Sequence, residues 1–223
     1  MLARSVIIFG AGSLARQACH YLLHDLGRTV TAMVVDEEFL ETAAVSEAPV
    51  VGWEHAKKAF PARDHEAFVA IGYRRMRARE EVWQRVRAAE YDCVNIICSG
   101  SVVARSASLG TNNFIHPGVV IEPNVSLRDN NVLWSNATAC HDTVIGSHNF
   151  IAAGAVLGGG VRVGCRSFIG FGAVVLQGCI VGDDVLVGAQ ALARGTADQY
   201  GKYVGVPAVR VGEFDSSKGV EVV

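Results

Sequence analysis

From residue 103 to residue 187 the chain repeats with a stride of six, and that stride excludes most folds. Stepping in sixes gives Val103, Leu109, Ile115, Ile121, Leu127, Leu133, Ala139, Ile145, Ile151, Leu157, Val163, Ile169, Val175, Val181 and Val187. All but Ala139 are leucine, isoleucine or valine. Glycine follows the aliphatic residue at Gly110, Gly146, Gly158, Gly164, Gly170, Gly182 and Gly188. Four residues after the aliphatic one, the side chain is usually small or β-branched, as at Val119, Val125, Ala137, Thr143, Ala155, Val161, Ser167, Ala173 and Val185. A helix repeats near 3.6 and a strand near 2, so neither alone sustains a strict six. A coil with flat sides does. Each hexad supplies a short strand and a turn, and three hexads close one triangular coil with its aliphatic side chains pointing inward. Successive coils stack at about 4.8 Å, the spacing of hydrogen-bonded strands, so residues eighteen apart lie above one another. A stack of this kind needs a cap, and Tyr200, Tyr203 and the tail to Val223 are placed to supply it.

Residues 5–97 follow a different grammar. Residues 6–9 form a buried strand, and Gly10-Ala11-Gly12-Ser13 a tight turn into a helix that ends at Gly27. Residues 29–35 form a second strand, 68–71 a third and 93–97 a fourth, with a helix over 76–89. Alternation of strand and helix implies a small parallel sheet of Rossmann type. The glycine turn matches the first two glycines of a dinucleotide-binding fingerprint and lacks the third. A helix start there offers N–H groups to a phosphate, and Asp36 at the end of the second strand offers a carboxylate to ribose hydroxyls. Gly10, Gly12, Ser13, Asp36 and Gly72 are therefore the expected ligand-binding positions of this unit. The blander reading is that the glycines only permit the turn and Asp36 only ends a strand. The domains expected are an α/β Rossmann-like unit over 1–97, an all-β parallel helix over 98–199, and a cap and tail over 200–223.

Composition narrows the function. A net charge of −2 and a pI near 6.4 argue against a broad basic face for nucleic acid. Residues 1–5 lead into a four-residue apolar run, too short for a secretion signal, and no stretch approaches the roughly 20 apolar residues of a membrane span. Cys19, Cys93, Cys98, Cys140, Cys165 and Cys179 show neither zinc spacing nor a disulfide framework and read as reduced, cytoplasmic cysteines. No metal site is expected, and His20, His24, His55 and His65 carry no role in this reading.

A Rossmann-like unit followed by a hexapeptide helix resembles the sugar O- and N-acyltransferases typified by sialic acid O-acetyltransferase and bacillosamine N-acetyltransferase. The segments that carry the resemblance are His141-Asp142-Thr143-Val144-Ile145-Gly146, Ile151-Ala152-Ala153-Gly154-Ala155, Gly158-Gly159-Gly160-Val161-Arg162-Val163-Gly164 and Val204-Gly205-Val206-Pro207-Ala208. The glycine turn departs from it, with Ser13-Leu14-Ala15 where the family usually carries Ser-Gly-His. The resemblance implies a left-handed β-helix, acetyl-CoA as co-substrate, a free or nucleotide-linked sugar as acceptor, and a homotrimer with active sites between subunits. It implies that His141 is the general base and that CoA lies along His148, Gly159, Gly160, Ala189, Gly205 and Pro207. An imidazole suits the role because its pKa lies near working pH, and Asp142 would hold its tautomer. Counting eighteen on from His141 reaches Gly159, whose N–H can serve the oxyanion while its missing side chain admits the thioester. Arg162, Arg166, Arg194, Lys202 and Arg210 supply positive charge in the region of the CoA phosphates. Two other readings use the same scaffold: a metal-dependent hydratase of the β-helical carbonic anhydrase type on His116, His141 and His148, and a non-catalytic scaffold.

Overall fold

A computed structural model describes residues 4–41 and 47–222; residues 1–3, weighed above as part of a leader, and Val223 at the end of the tail lie outside the described residues. The N-terminal unit is a four-stranded parallel sheet of β1 (Ser5–Phe9), β2 (Val30–Val35), β3 (Val50–Gly52) and β4 (His65–Val69), in the order β3-β2-β1-β4. Its helices are α1 (Ser13–His20), prolonged by one π turn over Tyr21–Asp25, α2 (Trp53–Ala59) and α3 (Met76–Ala88). Four of the five residues of β1 are buried, as a strand covered on both faces requires. The short β3 and α2 were not expected.

The fourth strand expected over 93–97 does not join this sheet. Cys93 makes only an isolated bridge to Ala67, whereas β5 (Ile96–Ile97) pairs with Phe114–Ile115. The reason is the stride itself. Ile97 is six residues before Val103, so the prism starts one hexad earlier than its first aliphatic step at 103.

The prism has three flat faces of two-residue rungs, every neighbouring pair parallel and eighteen residues apart over most of its length. The first face holds Ile96, Phe114, Val132, Phe150, Phe168 and Leu186, the second Val102 to Leu192, and the third Ser108 to Thr196. The last coil is two residues short, because Ile180 pairs with Thr196 and Leu186 with Lys202. The aliphatic steps form one continuous core with the small residues beside them. At the corner between the third and first faces the small residue is replaced by Asn113, Asn131 and Asn149, all buried. Each side-chain oxygen there accepts the backbone N–H one coil on, from Asn113 to Asn131, Asn131 to Asn149 and Asn149 to Ser167, at 2.8–3.0 Å, so these buried oxygens and N–H groups satisfy one another.

The N-terminal unit docks on the first face and its two flanking corners. Phe68 and Tyr21 meet Phe114 edge-on, and Tyr73 lies against Phe150 and Phe168. Arg79, fully buried, donates to Ile71 O and Asn130 O at 2.7 Å. Arg166 pairs with Asp183, Asp184 and Glu80. The tail closes the assembly. A hairpin of Gly201–Val204 and Val209–Glu213 caps the prism, with Tyr203 packed on the core, and the chain then returns to the first unit. There Val220 is wholly buried and its carbonyl accepts the Met76 N–H.

Candidate active site

His141 stands at the corner between the second and third faces, just after the rung Thr138–Ala139. Its side chain is 55% exposed. The turn that carries it needs a left-handed residue, and Asp142 fills that position at φ 60°, a conformation aspartate tolerates better than most side chains. The Asp142 carboxylate then lies 2.8 Å from His141 Nδ1. A carboxylate can only accept, so Nδ1 carries the proton and Nε2 presents its lone pair outward. Asn124, one coil back, donates to the other Asp142 oxygen at 3.1 Å, and Glu122 accepts the His141 backbone N–H at 2.7 Å. The hydrogen bond to Asp142 and the neighbouring negative charge raise the His141 pKa, while the bonds from His141 and Asn124 lower that of Asp142.

The ring lies directly over Gly159. A Cβ at 159 would sit 2.6 Å from both Cε1 and Nε2 of His141, closer than real carbon contacts allow, so the position must be glycine while the ring stays where it is. Among the described residues no hydrogen bond from the Gly159 N–H is found, whereas the next N–H, of Gly160, is taken by His141 O. Nothing lies within 4 Å of a Cβ built at Gly160 or Gly178. The corner is thus bare of side chains at 160 and 178 on the way from His141 toward the C-terminal coils, with Leu176 and Ile180 half-exposed beside it. Gly205 accepts the Leu192 N–H on the second face, three coils beyond Thr138, and Pro207 follows it. That is about 14 Å along the axis. Ala189 instead lies on the corner between the first and second faces, away from the His141 corner.

His148 does not face His141. It stands at the corner between the third and first faces, buried, with Asn130 at 2.9 Å, Glu80 at 3.7 Å and Trp83 edge-on. Burial and the nearby Arg79 and Arg166 charges push its pKa down to about 4. His148 therefore belongs to the domain seam, and the contact with CoA expected of it has no support in this chain. His116 is also buried, stacked between Phe114 and Trp134, and burial lowers its pKa to about 4. His116, His141 and His148 occupy three different corners, so they form no common ligand set within the chain. Of the basic residues expected near CoA, Arg166 is consumed by the seam, Arg210 pairs with Glu213, and Lys202 lies over Phe214. Arg162 and Arg194 remain exposed.

A second concavity, of about 690 Å³, opens at the ends of β1 and β2. Gly10, Gly12 and Asp36 line it together with Phe9, Arg16, Phe39, Arg75 and Arg85; Ser13 and Gly72 do not. Gly10 is required by the fold, since its φ is +126° and a Cβ would meet Ala70 O at 2.8 Å. Gly12 is not, because nothing lies within 4 Å of a Cβ there. Asp36 is held by Arg85 at 2.9 Å, and that guanidinium lies 4.8 Å over the Phe9 ring.

Glu122, Asn124, Arg85 and Phe39 were missed by sequence reasoning. Asn124 was within reach, since it stands eighteen residues before Asp142. The pocket residues gave no comparable signal.

The profile described as bacterial transferase hexapeptide (six repeats) matches residues 124–159. No curated protein matches the chain in sequence. Among solved structures, PerB from Caulobacter crescentus in complex with CoA and GDP-perosamine is 31% identical, with a TM-score of 0.84 over 95% of this chain and 99% of that one. A histidine-to-asparagine variant of the perosamine N-acetyltransferase of that organism, again with CoA and GDP-perosamine, is 29% identical with a TM-score of 0.86 over 96% and 99%. The acetyltransferase domain of PglB from Neisseria gonorrhoeae, in complex with acetyl coenzyme A, is 25% identical with a TM-score of 0.84 over 93% and 99%.

Proposed function

Because the chain belongs to the hexapeptide-repeat sugar acetyltransferases, we propose that it moves an acetyl group from acetyl-CoA to the amino group of a nucleotide-linked amino sugar. The observation that carries the reading is His141, its tautomer fixed by Asp142, lying over the open backbone of Gly159. The acceptor nitrogen attacks the thioester carbonyl carbon as Nε2 of His141 takes its proton. The carbonyl oxygen, now negative, meets the Gly159 N–H. The carbon–sulfur bond then breaks, and the departing sulfur takes the proton from Nε2. The corner left bare at Gly160 and Gly178 leaves room for an extended pantetheine, with Arg194 near its far end. Cys140 is not a nucleophile in this scheme, since burial and the Glu122 charge raise its pKa and keep the thiol protonated.

The nucleotide is assigned to the concavity of Gly10, Gly12 and Asp36, where the bareness of Gly12 serves the ligand and not the packing. Every hydrogen bond and ring contact described above between the N-terminal unit and the prism falls on the first face or its flanking corners, so this pocket does not lie beside the His141 of its own chain. A homotrimer resolves this by bringing the His141 corner of one copy to the pocket of the next. No helix among the described residues is long and apolar enough to cross a membrane, and the substrates proposed belong to the cytoplasm.

The test is thiol release from acetyl-CoA with purified protein and nucleotide-linked amino sugars. His141→Ala is expected to remove most of the roughly 10²–10⁴-fold contribution of a general base without loss of fold. Undiminished turnover in that variant would remove the assignment. Co-assembly of inactive His141→Ala copies with inactive Asp36→Ala copies is expected to restore activity, because mixed trimers contain one intact pair.

A further inference from the structure

Beyond the acetyl-transfer site, the far end of α1 carries three metal-type ligands that the proposed reaction does not use. His20 closes α1 and His24 lies four residues on, within the π turn, so both imidazoles emerge on one side. Their ring centroids are 4.8 Å apart. Glu47, which precedes β3, reaches back to both: its Oε2 lies 2.5 Å from His24 Nε2 and its Oε1 3.8 Å from His20 Nδ1. One ligand atom from each residue lies within 4.8 Å of the others. The side chains are 60%, 55% and 46% exposed, so each is free to rotate and water has access.

We propose that His20, His24 and Glu47 bind one divalent transition-metal ion of the zinc class. Tetrahedral zinc with bonds of about 2.1 Å sets its ligand atoms about 3.4 Å apart. One ligand atom from each residue already lies within 4.8 Å of the others, and closing to that spacing requires rotation of exposed side chains only. Two neutral imidazoles and one carboxylate carry a net charge of −1, which suits a dication. The nitrogen donors select zinc, cobalt, nickel or copper over magnesium and calcium, which prefer oxygen. Three protein ligands leave a fourth position for water. Asp25, next in the chain to His24, is committed to the Ser99 N–H and hydroxyl and does not compete. The ion would tie the end of α1 to the lead-in of β3, the edge strand that pairs with β2. This inference stands independently of the acetyl-transfer reading.

The experiment uses untagged protein stripped with EDTA and then given zinc chloride. One zinc per chain is expected after desalting, together with a rise in the thermal midpoint that equimolar magnesium does not produce. Glu47→Gln and the double variant His20→Ala/His24→Ala should each lose that zinc and that rise. Loss of a direct ligand should exceed the ~10–100-fold cost of removing an outer partner. All three side chains are half exposed, so circular dichroism of the variants should match the parent. A parent chain with no zinc-dependent rise would overturn the proposal. So would variants that retain zinc at the same stoichiometry, which would assign the metal to thiols or other groups.

Discussion

Replacing Gly159 with alanine separates the chemistry of the site from the stability of the fold. Gly159 is not among the residues with positive φ, so an alanine accepts its backbone without strain. The cost is the contact with His141, where the new methyl would lie 2.6 Å from Cε1 and Nε2 and 3.3 Å from Cδ2. Carbon atoms prefer about 3.5–4.0 Å, so the ring must retreat by about 1 Å. It is more than half exposed and free to swing, so the folding cost should stay within about 0.5 kcal/mol, as for an ordinary surface change. Catalysis tolerates no such retreat. A displacement of about 1 Å can cost about 10²-fold, and full loss of the base up to about 10⁴-fold, or roughly 2.7–5.4 kcal/mol of barrier. The assay is kcat/KM for thiol release from acetyl-CoA beside a thermal melt of the same preparation. Gly160→Ala sets the contrast. Its φ is +67° with open space around it, so a side chain there strains the backbone by about 1–2 kcal/mol and lowers the melting temperature. A Gly159→Ala enzyme within about threefold of the parent in kcat/KM, an effect below 1 kcal/mol, would refute the placement of the imidazole over this amide.

Asp142 raises the His141 pKa, so Asp142→Asn should move the acid limb of kcat/KM to lower pH while the plateau falls, as a pH–rate profile will show. His116 and His148 stay neutral in the fold because their pKa values are depressed to about 4, whereas unfolded histidine takes up a proton near 6.5. Stability from each is therefore complete above pH 6.5 and lost as pH falls toward 4, by up to about 3 kcal/mol per group. Urea melts at neutral and acid pH will measure this loss, and His116→Phe should flatten part of the slope. Val220→Ala removes buried methyl groups where the tail meets the first unit and should cost about 1.5–3 kcal/mol in chemical denaturation.

The prism was legible because its periodicity is a direct image of its geometry. Every aliphatic step from Ile115 to Val187 lies in the core, and the count of eighteen that joined His141 to Gly159 is the observed register. The same count run backwards from Asp142 reaches Asn124. The sheet unit was less legible. β3 is three residues long and α2 seven, too short for a periodic signal, and the pair Ile96–Ile97 reads equally as a strand of either unit. His148 shows the limit of motif position. Its place in a hexad turn is the same in kind as that of Asp142, and only the docking of Trp83 and Glu80 decides that it faces protein. The pocket residues come from α1, α3 and the ends of β1 and β2 with the turns that follow them, and their convergence is a product of tertiary structure.

The eighteen-residue register also governs how such a chain can change length. Imidazole and amide belong to adjacent floors of one staircase, so a whole floor added above 178 or removed below 120 would leave their pairing intact. An insertion of one or two residues between 141 and 159 would instead turn every later floor out of step, burying polar positions and exposing aliphatic ones. Growth by complete storeys is the variation this architecture permits, and the distance a ligand must span along that corner would lengthen in increments of one storey.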